Sequence, residues 1–131
     1  MTKNKITLDV EMLRSLTLNK YIDTERRNRY AGAKLKRFGT NYARNVFLQA
    51  LVDGITFEWP CKLKFDWYLP DRRIDPDNWS FTRKFILDGM QTAKTRGRVF
   101  LQNDNMQNIK GFDEDFYLDK SNPRLEISAI R

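Results

Sequence analysis

The sequence predicts an α+β fold: a small mixed sheet of about four strands with two main helices packed on it. Three observations carry that expectation. Cys61–Leu69 and Arg124–Ile130 alternate apolar and polar residues with period two. Two other stretches, from Asp23 toward Gly54 and from Asp77 toward Ala93, repeat apolar residues at helical spacing. The chain has 131 residues, 40% of them hydrophobic, enough for one core with little room for a second, so 1–131 reads as a single domain.

Taken in order, Thr7–Val10 alternates and suits a short strand. Asp23 or Thr24 can cap the first long helix, with Tyr30, Ala33, Val46, Phe47, Ala50 and Leu51 as its apolar positions. Gly32 and Gly39 predict a bend or two shorter helices, and Gly54 an end. In Cys61–Leu69, Leu63, Phe65, Trp67 and Leu69 share one face, and Pro70 stops the strand. After the loop 71–76, Asp77 or Asn78 can cap a second helix whose buried stripe is Trp79, Thr82, Ile86, Met90 and Ala93, with Phe85 beside it. Thr92–Arg98 is basic and turn-like, Val99–Leu101 is a short apolar run, and 102–105 reads as a turn. Met106–Phe112 suits a strand and Phe112–Asn122, with Asp113, Glu114, Asp115 and Asp119, an acidic solvated loop. Arg124–Ile130 is the last strand, with Leu125, Ile127 and Ala129 on one side.

Composition removes several chemistries. The chain has no histidine, which excludes Ser-His-Asp triads, Cys-His pairs and histidine metal sites. Its one cysteine, Cys61, builds neither an internal disulfide nor a cysteine zinc site and reads as a buried spectator. No apolar run approaches the ~20 residues of a membrane span. The start Met1–Lys5 is basic, with no apolar stretch and cleavage site behind it, which predicts a cytoplasmic protein. Hydrolytic chemistry must then come from carboxylates with a metal, from lysine or from tyrosine.

The net charge of +7 is uneven. Residues 1–45 hold 11 basic and 4 acidic side chains, and the remainder is balanced. Such clustering points to a polyanion. Arg26, Arg27, Arg29, Lys34, Lys36 and Arg37 suit contacts to backbone phosphates. Tyr30 and Phe38 between them read as core residues, although aromatics can also stack on unpaired bases.

The candidate site is Asp75-Pro76-Asp77-Asn78, where a loop meets a helix. Mg²⁺ takes oxygen ligands and is commonly held by one or two carboxylates plus water and substrate phosphate. Pro76 fixes a torsion between the two acids. Taken alone, such a stretch is more often a turn and an N-cap than a metal site. It is not an EF-hand, which needs Gly at its sixth position and Glu at its twelfth, where Ser80 and Ile86 stand. Asp77, Phe81, Lys84 and Asp88 would share one helix stripe, with Lys84 about 10 Å along the axis from Asp77. Lys84 can steady phosphate charge or pair with Asp88. Asp104, after the 99–101 run, is a third acid that a turn can bring close.

Together these residues have a familiar order. Arg73-Ile74-Asp75-Pro76-Asp77-Asn78, then Lys84-Phe85-Ile86-Leu87-Asp88-Gly89-Met90, then Asn103-Asp104, resembles the RusA family of Holliday-junction resolvases, in the form carried by phages and prophages of Gram-positive bacteria. Leu18–Ile22 with Glu25–Tyr30, and the ending Asp119–Ile127, are similar to that family as well. The resemblance implies a homodimer of small α+β subunits that binds four-way DNA junctions and makes paired nicks with Mg²⁺ or Mn²⁺. It implies metal ligation by Asp75, Asp77 and Asp104, and a catalytic role for Lys84. In enterobacterial members the lysine follows the asparagine by three positions, where this chain has Phe81. Arg73 and Asn78 join the expected DNA-binding set. The alternatives are a branched-DNA-binding module that does not cut, and a nuclease for flaps or forks.

Overall fold

The alternation in Cys61–Leu69 places that segment at the heart of the sheet. The computed structural model describes residues 4–130. The basic start at residues 1–3 and the final residue 131 lie outside the described residues. The elements are β1 (Lys5–Leu8), α1 (Val10–Leu13), a 3₁₀ turn (Arg14–Leu16), α2 (Leu18–Arg27), α3 (Arg29–Val52), β2 (Cys61–Leu69), α4 (Pro76–Ser80), α5 (Arg83–Thr92), β3 (Lys94–Thr95), β4 (Arg98–Val99), β5 (Ile109–Leu118) and β6 (Arg124–Ile130). Four strands form a mixed sheet in the order β1-β6-β2-β5, with β2 and β5 parallel and the other pairs antiparallel. The expected α+β architecture is the observed one.

One face of the sheet carries the core. Cys61, Leu63, Phe65, Trp67 and Leu69 of β2 are buried, as are Leu125 and Ile127 of β6. The helices α3 and α5 supply Ala43, Phe47, Ala50, Phe85, Ile86 and Met90 to the same cluster. The expected stripe of the second helix is buried throughout, from Trp79 and Thr82 to Ala93. The opposite face is charged and paired. Lys62 meets Asp113, Lys64 meets Asp66 and Asp115, and Arg124 meets Asp119 and Glu126 while lying over the Tyr68 ring. A sheet with one solvated face needs such polar positions on every second residue.

Several boundaries differ from the sequence expectation. The first strand ends at Leu8 because Asp9 caps α1, its Oδ1 accepting the Glu11 N–H at 2.9 Å. The first long helix is divided, but at Asn28 rather than at a glycine. Asn28 Oδ1 accepts the N–H groups of Tyr30 and Ala31 and starts α3 anew. Gly32 and Gly39 lie inside an unbroken helix, where a Cβ on Gly39 would sit 2.8 Å from a Leu16 methyl, so close packing is what keeps Gly39 small. Gly54 does end α3. With φ +78° it lets its own N–H reach Leu51 O and the Ile55 N–H reach Ala50 O, a Schellman closure. Tyr30 and Ala33 face solvent, so only the second half of α3 is a core helix.

The expected helix from Asp77 to Ala93 begins one turn earlier and has an elbow. Asp75 is the N-cap of α4, Pro76 its first residue, and the chain turns at Phe81-Thr82 before α5. The largest correction concerns the acidic run. Residues 109–118 are not half strand and half loop but one strand, β5, at the sheet edge. Lysines on β2 supply the counter-charges that a window of local sequence does not contain.

Candidate nucleic-acid site

The Asp75–Asn78 motif is held from beneath. Trp79 is buried against Trp67, with ring centroids 5.6 Å apart, and Arg14 lies over its ring. The Asn78 side chain is buried, and its Oδ1 accepts the Asn19 N–H at 3.0 Å, tying the start of α2 to α4. Tyr21 packs on Phe81 and Phe85 at 5.7 and 5.5 Å. The turn before the motif is closed by Asp71 Oδ1, which accepts the Arg73 N–H. Past the elbow, Glu114 of β5 accepts from Trp67 Nε1 at 2.9 Å, Ser80 Oγ at 2.7 Å and an Arg83 guanidinium nitrogen at 2.7 Å. One carboxylate thus fixes α4 and α5 to the sheet.

Asp75 and Asp77 project from this support into solvent. Asp75 caps α4 through its carbonyl, which accepts from Asn78 and Trp79, while its carboxylate makes no cap bond. Neither acid has an ion pair among the described residues. A polar cavity of about 370 Å³ opens beside Asp75, and Lys20, Asp23, Arg27, Arg73 and Asn78 share its walls. The three cations are also without ion pairs among the described residues. On the other side of Asp75 lies an apolar cavity of about 670 Å³, walled by Leu69, Ile74, Pro76, Phe116, Tyr117 and Leu118.

The structure joins some of the expected site residues and separates others. Asp75, Arg27, Arg73 and Asn78 border one cavity. Lys84 is exposed near the start of α5, past the break at Phe81-Thr82, so Asp77 and Lys84 lie on two successive helical segments rather than one. It makes no ion pair with Asp88 among the described residues. Asp104 is exposed in the connection between β4 and β5, whose start is anchored by buried Phe100 and Leu101 and whose end is closed by Asn108 Nδ2 donating to Asn103 O. Among the described residues no three acids come together as a group able to hold a metal ion, so Asp75, Asp77 and Asp104 are not gathered into one set.

Arg26, Arg27, Arg29, Lys34, Lys36 and Arg37 are all exposed on α2 and the free half of α3. Tyr30 and Phe38, expected in the core, are 74% and 41% exposed. Tyr30, Lys34 and Phe38 follow at four-residue steps and share a helix face.

The sequence reading missed Lys20 and Asp23 as site residues. A signal was present. Lys20, Asp23, Thr24 and Arg27 stand at i, i+3, i+4 and i+7, a polar stripe on one helix face. Starting the helix at Asp23 hid it, because α2 begins at Leu18.

The fold and site define a small α+β domain with exposed Asp75 at the lip of a cavity that Lys20, Arg27 and Arg73 also line. No protein-family model matches the chain, and no curated protein matches it. No helix among the described residues is long and apolar enough to cross a membrane.

Proposed function

We propose that this chain is a metal-dependent, structure-specific endodeoxyribonuclease that acts as a homodimer in the cytoplasm and resolves Holliday junctions by paired, symmetric nicks. One observation carries the reading. Asp75, exposed and without an ion pair among the described residues, lines a cavity walled by the equally unpaired cations Lys20, Arg27 and Arg73, with exposed Asp77 two residues on. Asp77 in the first turn of α4 also suits the helix dipole, but Asp75 among three cations brings both signs to one place, as a metal cation and a phosphate together need.

The residues present fit Mg²⁺ or Mn²⁺. Two carboxylates across one proline suffice when water and a DNA phosphate complete the shell. A metal bound there would polarise the scissile phosphate and lower the pKa of a bound water. Arg27, Arg73 and Lys20 hold the phosphate in place, and Lys84 offsets charge that develops on it. Asp104 belongs to the proposal as the third acid of the family resemblance. In the free chain it stands apart, so its part requires the exposed 102–105 turn to approach with the DNA. Arg26, Arg29, Lys34, Lys36 and Arg37 hold the arms of the junction by phosphate contacts. A two-fold dimer presents two such sites to a two-fold junction.

Binding of branched DNA without cutting is the second reading, favoured by the dispersal of the three aspartates. A labelled four-way junction, with linear duplex as control, separates the two. Paired nicks near the branch point with Mg²⁺, and none with EDTA, support the nuclease. Tight junction binding with no cleavage under Mg²⁺ or Mn²⁺ supports the binding module.

A further inference from the structure

We propose that the two cavities flanking Asp75 form one nucleotide site that selects an unstacked base, with the phosphate in the polar cavity on Lys20, Arg27 and Arg73 and the base in the mostly apolar cavity against Phe116 and Leu118. This rests on the nuclease reading and names what the site selects. The two cavities share Ile74 and Asp75, so a ligand can occupy both by crossing one rim. Their chemistry is opposite. One wall set carries three cations beside Asp23 and Asp75, and the other is mostly aliphatic and aromatic, with Asp71 and Arg72 at its polar end. A nucleotide has that polarity, an anionic phosphate joined to a flat, largely apolar base.

The apolar wall is the free edge of the sheet. Among the described residues β5 pairs with β2 alone, and Leu118 at its end is 50% exposed. The ring of Phe116 is backed by Trp67, stacked 6.1 Å away and nearly parallel, which fixes its orientation. Tyr117, by contrast, stacks on Tyr68 at 5.0 Å on the opposite face of the sheet. Rigid aromatic faces bind bases without regard to sequence, and Arg72 on the opposite wall adds a guanidinium plane that can also stack. A cavity of about 670 Å³ lies within the range of ligand sites and exceeds what one phosphate needs. A base in duplex is already stacked and cannot enter. A branch point offers unstacked bases, so the site distinguishes junction from duplex where phosphate contacts alone do not.

The test is a binding cycle in EDTA, read by fluorescence anisotropy, with a four-way junction, the same junction made abasic at its branch-point nucleotides, and linear duplex. The Phe116→Ala/Leu118→Ala protein should bind the intact junction about tenfold more weakly, the loss expected for one stacked base, with duplex binding changed less than about twofold. Removing the branch-point bases should weaken the wild type by a similar factor and leave the double variant indifferent. Lys20→Ala should weaken junction and duplex by equal factors. Arg72→Ala repeats the base-side test from the opposite wall should the double variant not fold. Equal losses on junction and duplex for the base-side variants, or no loss, would overturn the proposal while leaving the nuclease reading standing. Sedimentation of each protein covers the other occupant. A wild-type dimer that the double variant converts to monomer assigns the groove to a second copy of the chain and overturns the proposal. A wild type that binds no DNA removes the nuclease reading, and this inference falls with it.

Discussion

Glu114→Gln isolates the support beneath the site. Glu114 is 14% exposed at its side chain and accepts three hydrogen bonds, two at Oε1 from Ser80 and Arg83 and one at Oε2 from Trp67. Glutamine has the same shape but one acceptor oxygen. With that oxygen toward Ser80 and Arg83, the amide NH₂ faces the Trp67 indole N–H, and a donor in a fully buried residue loses its partner. With the amide flipped, Trp67 is satisfied and the NH₂ faces a guanidinium. The first orientation strands a buried donor, at about 1–3 kcal/mol, the second sets two donors face to face at Arg83, and both remove a charge-assisted bond to Arg83. The sum is about 3 kcal/mol after discounting Arg83, which is 30% exposed. For a domain of this length that corresponds to a melting temperature lower by roughly 10 °C. Circular dichroism melts at pH 7, with urea titrations at 25 °C, measure it. A drop in urea midpoint with unchanged slope is expected. A melting temperature within about 2 °C of wild type would refute the view that this carboxylate latches the α4–α5 elbow to the sheet.

Other outcomes follow from the same interactions. Asp77→Asn should abolish junction cutting while leaving binding equal or tighter, because a negative charge beside the phosphate is removed; a gel assay run in Mg²⁺ and in EDTA reads both, and normal cutting would remove Asp77 from the site. Lys34→Ala/Arg37→Ala should lower junction affinity and make the slope of log K against log salt shallower by about 0.9 for each phosphate that is no longer neutralised. Gly89→Ala should destabilise the fold by about 3 kcal/mol in urea titration, since its Cβ would stand 2.4 Å from that of Ala43 and 2.7 Å from the Arg44 amide nitrogen. Acid should loosen the β6 end of the sheet. Burial pushes the Glu126 carboxyl up, but hydrogen bonds from Arg124 and Lys5 outweigh it and hold it below the ordinary range. Asp119 is lowered by the Ser121 hydroxyl, then by Arg124. Both folded values lie below the unfolded ones, so their stabilisation is complete above about pH 4–5 and is lost as pH falls through the folded values. Arg124→Gln should flatten that acid limb in melts taken from pH 7 downward.

What the sequence made legible depended on whether the determining contacts were local. β2 and β6 were readable to the residue because period-two alternation is written into each strand by the face it buries. The buried stripe from Trp79 to Ala93 was readable for the same reason, even though the helix carrying it has an elbow at Phe81-Thr82. β5 was not readable. Its acids look like a solvated loop until Lys62 and Lys64 of a parallel neighbour 50 residues earlier are placed beside them, and until Glu114 is seen to turn inward to three donors. The division of the first helix at Asn28 was concealed by two glycines that advertise flexibility but serve close packing.

The site divides along the same line. Asp75 and Asp77 follow from four adjacent residues, and the structure leaves both carboxylates free for a ligand. Lys84 and Asp104 required long-range placement, and the elbow and the 100–108 connection set them apart from that pair. The cavity itself arises from α2 lying against the 71–78 segment through Asn78 and Asn19, a contact across 59 residues that no local pattern encodes. The α2 stripe Lys20-Asp23-Thr24-Arg27 has no buried residue and needs none for the fold. That stripe faces the cavity with exposed cations that have no ion pair among the described residues, so the cavity's charge comes from α2, rather than from Asp104, and no local motif reveals it.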